Sequence, residues 1–218
     1  PCPAPPPQTW MTLPGLEGPL AIFPGVYPPD VDSLALCAWI RVPPGAEVLD
    51  VGTGTGIQAL MALQSGAAKA VATDINPAAV ANARFNAERR GWTERLDVRL
   101  VPEEGEREAY AVLRPDERFD LIVSNPPFFN AVPEGMLDRH GLDEGHFLLH
   151  SLFEGLRGRL RPEGRLLLVF WGPAGLTLLK KLSVRNGLDL KVLYEGPKVA
   201  TPADAPWKLP SGEPVTKE

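Results

Sequence analysis

Residues 48–56, Val48-Leu49-Asp50-Val51-Gly52-Thr53-Gly54-Thr55-Gly56, decide how the rest of the chain is read. A short buried-strand pattern runs into three glycines at alternate positions, and an apolar helical pattern follows from Ile57 to Gln64. Glycine serves where a backbone turns sharply or where a ligand must approach it closely. A strand, a glycine turn and a helix in this order begin a doubly wound sheet, whose ligands bind beyond the carboxyl ends of the strands. The loop reads acid-x-Gly-x-Gly-x-Gly, neither the dinucleotide form Gly-x-Gly-x-x-Gly nor the phosphate-cradling form ending in Gly-Lys. Its leading Asp50 is ill placed beside a pyrophosphate and better suited to a ligand carrying an ammonium or sulfonium.

Outward from this loop, strands alternate with helices. The pattern predicts a helix over 31–40, with Asp30 or Asp32 as its cap, and strands over 48–51, 70–73, 97–101, 119–123 and 166–171. Helices are expected over 57–64, 77–90, 147–160 and 176–186, the last closed by Gly187, with a sixth strand near 188–194. Residues 161–164, Arg-Pro-Glu-Gly, read as a turn before the fifth strand. The expected fold is α/β and Rossmann-like, a mostly parallel twisted sheet with helices on both faces. Residues 1–27, rich in Pro and Gly, read as an irregular arm or lid anchored by Trp10, Met11, Leu13, Ile22 and Phe23. The domain proper spans 28–196, and 197–218 form a second Pro-rich tail.

Asp74 ends the second strand, followed by Ile75, and stands where a carboxylate can accept from both ribose hydroxyls of an adenosine. Its bland alternative is an N-cap for the helix from Pro77. Asp50, Gly52, Thr53, Gly54 and Gly56 with Asp74 together resemble motifs I and II of class I S-adenosylmethionine methyltransferases. That resemblance implies S-adenosylmethionine as cofactor and an acid after the third strand near the adenine amine, for which Glu103 in Val101-Pro102-Glu103-Glu104 is the candidate.

Ser124-Asn125-Pro126-Pro127-Phe128 follows the fourth strand. Two prolines remove two backbone donors and hold the chain extended, leaving carbonyls free to face a cleft. Asn125 adds a side-chain acceptor. Two acceptors converging on one point suit an NH2 group. An amide or nucleobase nitrogen shares its lone pair with a π system and attacks carbon poorly. Hydrogen bonds to Asn125 Oδ1 and the Pro126 carbonyl would orient that lone pair and stabilise the positive charge that develops on nitrogen. Phe128 would stack on the planar group. The Asn125-Pro126-Pro127-Phe128 set resembles the signature of N-methyltransferases acting on glutamine amides, adenine N6, guanine N2 or cytosine N4, and implies methyltransferase activity.

Upstream, Val26-Tyr27-Pro28-Pro29-Asp30-Val31-Asp32-Ser33 resembles a segment of HemK-type methyltransferases, which modify glutamine of release factors. The resemblance runs from about Val26 to Trp171 and implies a part for Tyr27, Pro29 and Asp32 in closing the cofactor site. It departs after the prolines, where those enzymes carry Tyr and this chain has Phe128-Phe129. The Asn-Pro-Pro-Phe form is also similar to that of small-domain RNA methyltransferases for adenine N6 and guanine N2. The acceptor is thus expected to be a protein glutamine, with an RNA base or a small metabolite as alternatives and a non-catalytic cofactor-binding subunit as another.

Composition narrows the choice. A net charge of −5 over 218 residues disfavours a surface gripping long nucleic acid through phosphates. No apolar run is long enough for a membrane span and nothing reads as a secretory signal, so a cytoplasmic protein without membrane attachment is expected. Two cysteines make neither a disulfide framework nor a zinc site. His146 and His150 stand four apart but lack further ligands, so no metal is expected, while Asp143 and His146 are candidates for the substrate mouth.

Overall fold

The computed structural model describes residues 7–171 and 175–193. Five parallel strands, β3 (Glu47–Val51), β4 (Lys69–Asp74), β5 (Leu96–Leu100), β6 (Phe119–Ser124) and β7 (Leu160–Leu168), form one sheet in the order β5-β4-β3-β6-β7. Chain order reverses beside β3, so the ends of β3 and β6 flank the crevice where a doubly wound sheet takes its ligand. Between the strands run α2 (Ile57–Gln64), α3 (Pro77–Glu88) and α4 (Phe147–Gly155), with α1 (Val31–Ala38) before β3 and α5 (Gly175–Arg185) after β7. The apolar alternation predicted this architecture, and α2 has the expected bounds. No helix among the described residues is long and apolar enough to cross a membrane.

Several expectations are corrected. Residues 9–22 are not irregular: β1 (Thr9–Met11) and β2 (Leu20–Ile22) form an antiparallel hairpin. Two buried amides on α3, one helical turn apart, hold it. Asn82 Oδ1 accepts from Phe23 N and Asn86 Oδ1 from Ala21 N, both at 2.9 Å, while both side-chain NH2 groups donate to Ala21 O. Unpaired, each buried amide would cost roughly 1–3 kcal/mol, so α3 acts as a third strand to β2. Leu13, Leu16 and Leu20 then join the core beneath α1 and α2.

The strand expected at 166–171 starts earlier, at Leu160, and ends at Leu168. The turn expected at 161–164 lies inside it as an irregularity: Leu160 pairs with Phe119 and Arg165 with Leu121, and Glu163 takes φ 64°. A bulge lets a turn-like sequence sit within a ladder. The helix expected over 147–160 ends at Gly155 and continues as a 3₁₀ turn, Leu156–Gly158.

No strand is present over 188–193, and Tyr194, the end of that expected strand, lies outside the described residues together with the whole Pro-rich tail, 197–218. Gly187 does cap α5, with φ 62° and Leu188 N donating to Ser183 O.

Candidate functional site

A cavity of about 800 Å³ opens at the carboxyl ends of β3, β4 and β6. Its floor is the glycine loop. Gly52 N and Thr53 N donate to Thr73 O at 2.9 and 3.0 Å, and Gly54 N donates to Asp74 Oδ2 at 2.8 Å. Gly52 and Gly54 have φ of +76° and +56°, and a Cβ on either would meet no atom within 4 Å. The loop is therefore a cradle with space above it, in a backbone form that side chains resist. Gly56 differs: at φ +88° its Cβ would lie 3.1 Å from that of Ala83, so it serves close packing of α2 on α3 and is not in the cavity wall.

Asp50 is corrected in place. It is fully buried under the loop and outside the wall. Its Oδ2 accepts from Thr53 Oγ at 2.6 Å and Ala59 N at 3.1 Å, clamping the loop to α2, while Oδ1 has no partner. Burial pushes its pKa up to about 7, against the hydrogen bonds from Thr53 and Ala59.

Asp74 lines the cavity, half-buried, with Oδ1 accepting from Asn76 N at 2.8 Å. Burial raises its pKa, opposed by the N–H groups of Asn76, Gly54 and Ile75. The helix cap is Asn76, whose Oδ1 accepts from Ala78 N, which leaves the remaining lone pairs of Asp74 to the cavity. Ile75, Thr53, Tyr27, Pro29 and Asp32 also line it. Glu103 does not: it starts an exposed 3₁₀ turn, Glu103–Gly105, and from this stretch Val101 and Glu106 to Ala109 reach the wall.

Asn125, Pro126, Pro127 and Phe128 lie together in the wall beyond β6. Ser124 Oγ donates to Val51 O at 2.9 Å and fixes the start of this turn to β3. Asn125 Nδ2 donates to Ser33 Oγ on α1 at 3.2 Å, and its Oδ1 is buried without a partner. Phe128 packs edge-on against Phe170 (5.7 Å between centroids), and Phe170 meets His146 in the same way at 5.5 Å. His146 is outside the wall. It has φ 52°, its Nδ1 is buried without a partner, and burial lowers its pKa against the pull of Asp143. Asp143 is in the wall, with Oδ2 accepting from Leu148 N at 2.9 Å to cap α4.

Residues that the sequence did not single out complete the site. Ser33 fixes Asn125, and its signal was present, since it closes the segment beginning at Val26. Gln58, Arg107, Arg139 and His140 line the cavity with no local signature, brought in by the fold. Tyr27 stacks on His140 at 4.1 Å and 13°, joining the upstream segment to the loop after the prolines. The residues present fit S-adenosylmethionine: an open glycine cradle, an acid placed for a ribose and a buried, unsatisfied acceptor beyond them.

Residues 34–126 match the family model for ribosomal protein L11 methyltransferase (PrmA). The chain is 39% identical over 104 residues to a tRNA1(Val) (adenine(37)-N6)-methyltransferase of Vibrio parahaemolyticus, covering 47% of this chain and 41% of that protein. It is 39% identical over 166 residues to a release factor glutamine methyltransferase of Cereibacter sphaeroides, covering 67% and 57%. The chain thus spans between about two fifths and three fifths of the length of these relatives. In structure it is similar to a ribosomal protein L11 methylase from Lactobacillus delbrueckii, with a TM-score of 0.58, 24% identity and coverage of 80% and 79%. The chain therefore carries the Rossmann-like fold of class I methyltransferases and is related in sequence to proteins named as N-methyltransferases of tRNA adenine and of release-factor glutamine.

Proposed function

We propose that the chain is an S-adenosylmethionine-dependent N-methyltransferase acting on a planar nitrogen. The observation that carries this is the buried, unpartnered Oδ1 of Asn125, in an amide whose other end is held by Ser33. A buried acceptor without a donor costs roughly 1–3 kcal/mol, and an incoming N–H satisfies it. Bound on the glycine loop, the cofactor supplies an electrophilic methyl on a sulfonium. Gly52, Gly54 and Asp74, which line the cavity, would hold it, with the Asp74 carboxylate as acceptor for the ribose hydroxyls.

Asn125 Oδ1 and the Pro126 carbonyl take the two N–H groups of the acceptor, turning the nitrogen lone pair toward the methyl. Phe128 stacks on the planar group and is itself braced by Phe170. As methyl passed from sulfur to nitrogen, the S–C bond would break with its electron pair left on sulfur, S-adenosylhomocysteine would be the leaving group, and the same two oxygens would stabilise the positive charge growing on nitrogen before a proton left to water. Proximity supplies much of the remaining rate. Tyr27, Pro29 and Asp32 close the site from above.

The acceptor is a protein side-chain amide or an exocyclic amine of an RNA base. The second reading has its own support, since relatives named for tRNA adenine are the more numerous. The test is transfer of tritiated methyl from S-adenosylmethionine into separated protein, RNA and metabolite pools. Label on nitrogen in one pool, lost with Asn125→Ala, is expected; label in none, or transfer that survives the substitution, overturns the reading.

A further inference from the structure

Several apolar side chains stand open around the mouth of the cavity. Phe129 is 51% exposed, Val132 64% and Leu137 63%, and Met136 and Tyr27 continue the same rim. Phe129 packs edge-on against Trp171 at 5.9 Å and its strand-like segment bridges to Leu142, while Tyr27 stacks on His140. Scattered exposed apolar residues need no explanation, but a set gathered at the rim of one cavity marks a contact surface.

The charges on the same walls say which partner it fits. Asp74 aside, Asp30, Asp32, Glu106, Glu108, Asp143 and Glu144 line the cavity, against two guanidiniums, Arg107 and Arg139. Both guanidiniums are already engaged: Arg139 with Glu106 at 2.6 Å and Arg107 with Glu144 at 3.4 Å. A polynucleotide brings one phosphate per nucleotide and is held by cations released from other duties. Among the described residues of this wall each guanidinium is already paired with a carboxylate, and exposed Glu108 would face the phosphates. Aromatic rims do stack unpaired bases, yet such sites couple the rings to a basic groove.

Resting on the methyl-transfer reading, we infer that the rim docks a polypeptide whose acceptor amide is flanked by apolar and cationic residues. The apolar flank lies against Phe129, Val132 and Leu137, and Lys or Arg of the partner pairs with exposed Glu108. Charge complementarity of this kind sets specificity and register more than total affinity.

Three fluorescein-labelled probes test this by anisotropy with the full chain and S-adenosylhomocysteine present. They are a short Gln peptide with Leu and Lys flanks, its twin with Glu in place of Lys, and a single-stranded RNA of equal length bearing adenosines. The cationic peptide is expected to bind at least about tenfold tighter than either other probe, a difference of about 1.4 kcal/mol. Glu108→Lys narrows the gap between the two peptides, and Leu137→Ser weakens the cationic peptide about threefold (on the order of 0.7 kcal/mol) while S-adenosylhomocysteine affinity is kept. Tighter binding of the RNA, equal binding of the two peptides or absence of binding by all three overturns the inference. Binding is read without turnover, so peptide capture with no label in any pool would condemn the methyl-transfer reading alone.

Discussion

Asn125 Nδ2 and Ser33 Oγ lie 3.2 Å apart, joining the turn after β6 to the first helix across 92 residues of chain. The bond assigns the two ends of the amide: the NH2 is spent on α1, and the oxygen is left buried without a donor. Orientation of that acceptor is therefore set by a residue that need not touch the substrate.

Ser33→Ala tests this. The amide loses its anchor and samples both orientations, so turnover should fall about tenfold, near 1.4 kcal/mol, with S-adenosylmethionine affinity kept. Asn125→Ala removes the acceptor itself and should cost on the order of 10²–10³ in turnover. Single-turnover rates and calorimetric cofactor binding read the two effects separately. Equal losses in both variants would mean that Ser33 acts directly.

The glycines of the loop should separate by role. Gly54→Ala places a methyl in open space above the cradle, whereas Gly56→Ala drives one against Ala83. Both carry the cost of a left-handed backbone, roughly 1–2 kcal/mol. Beyond that, Gly54→Ala should mainly weaken cofactor binding, and Gly56→Ala should mainly lower the melting temperature.

Asp50 gives the protein a pH signature. Burial raises its folded-state pKa from the usual carboxylate range to about 7, so the folded state holds its proton more tightly than the unfolded chain. The contribution is present below about pH 4 and is lost as pH climbs toward 7, by at most about 1.4 kcal/mol per pH unit. Asp50→Asn should flatten this slope. Urea unfolding of both proteins at pH 5, 6 and 7 measures it (pH values chosen to bracket the roughly 4–7 window), with stability of the variant rising relative to wild type across the series.

His146 holds a left-handed backbone at φ 52° and presses its ring on Phe170, which in turn abuts Phe128. Strain kept beside a site implies that something is gained there. His146→Gly relieves the strain and removes the brace. Melting temperature should hold or rise by a few degrees, as about 1 kcal/mol implies, while turnover falls severalfold. His146→Phe, which keeps a ring, should restore part of the rate.

The glycine loop, Asp74 and the Asn-Pro-Pro-Phe turn were legible in the sequence because each is a local device, written in consecutive residues at a strand end. The helix over 57–64 was legible for the same reason, starting where the glycines stop. What escaped was built at a distance. The hairpin of β1 and β2 consists of two three-residue strands among prolines and glycines, and it is held by hydrogen bonds from Asn82 and Asn86 of α3 and by packing of Trp10 and Phe23 on Phe85 of the same helix. The turn at 161–164 was a sound local reading that pairing with β6 absorbed as a bulge. Glu103 was placed by analogy with a segment whose backbone here curls outward, and Asp50 pointed into the protein because Thr53 and Ala59 offered it donors. Arg107, Arg139 and His140 carry no local pattern at all; the first reaches the cavity from the segment between β5 and β6, the other two from the chain after the prolines.

Methyl transfer at this site needs a sulfonium aligned with the Asn125 oxygen, and a crystal structure with S-adenosylhomocysteine measures that alignment directly. The cofactor should lie along Gly52, Gly54 and Asp74, with its sulfur about 4–6 Å from Asn125 Oδ1, room for one methyl and one nitrogen between them. A sulfur placed about 10 Å or more from that oxygen, or a ribose that does not reach Asp74, contradicts it (separations well beyond about 3 Å hydrogen-bond reach).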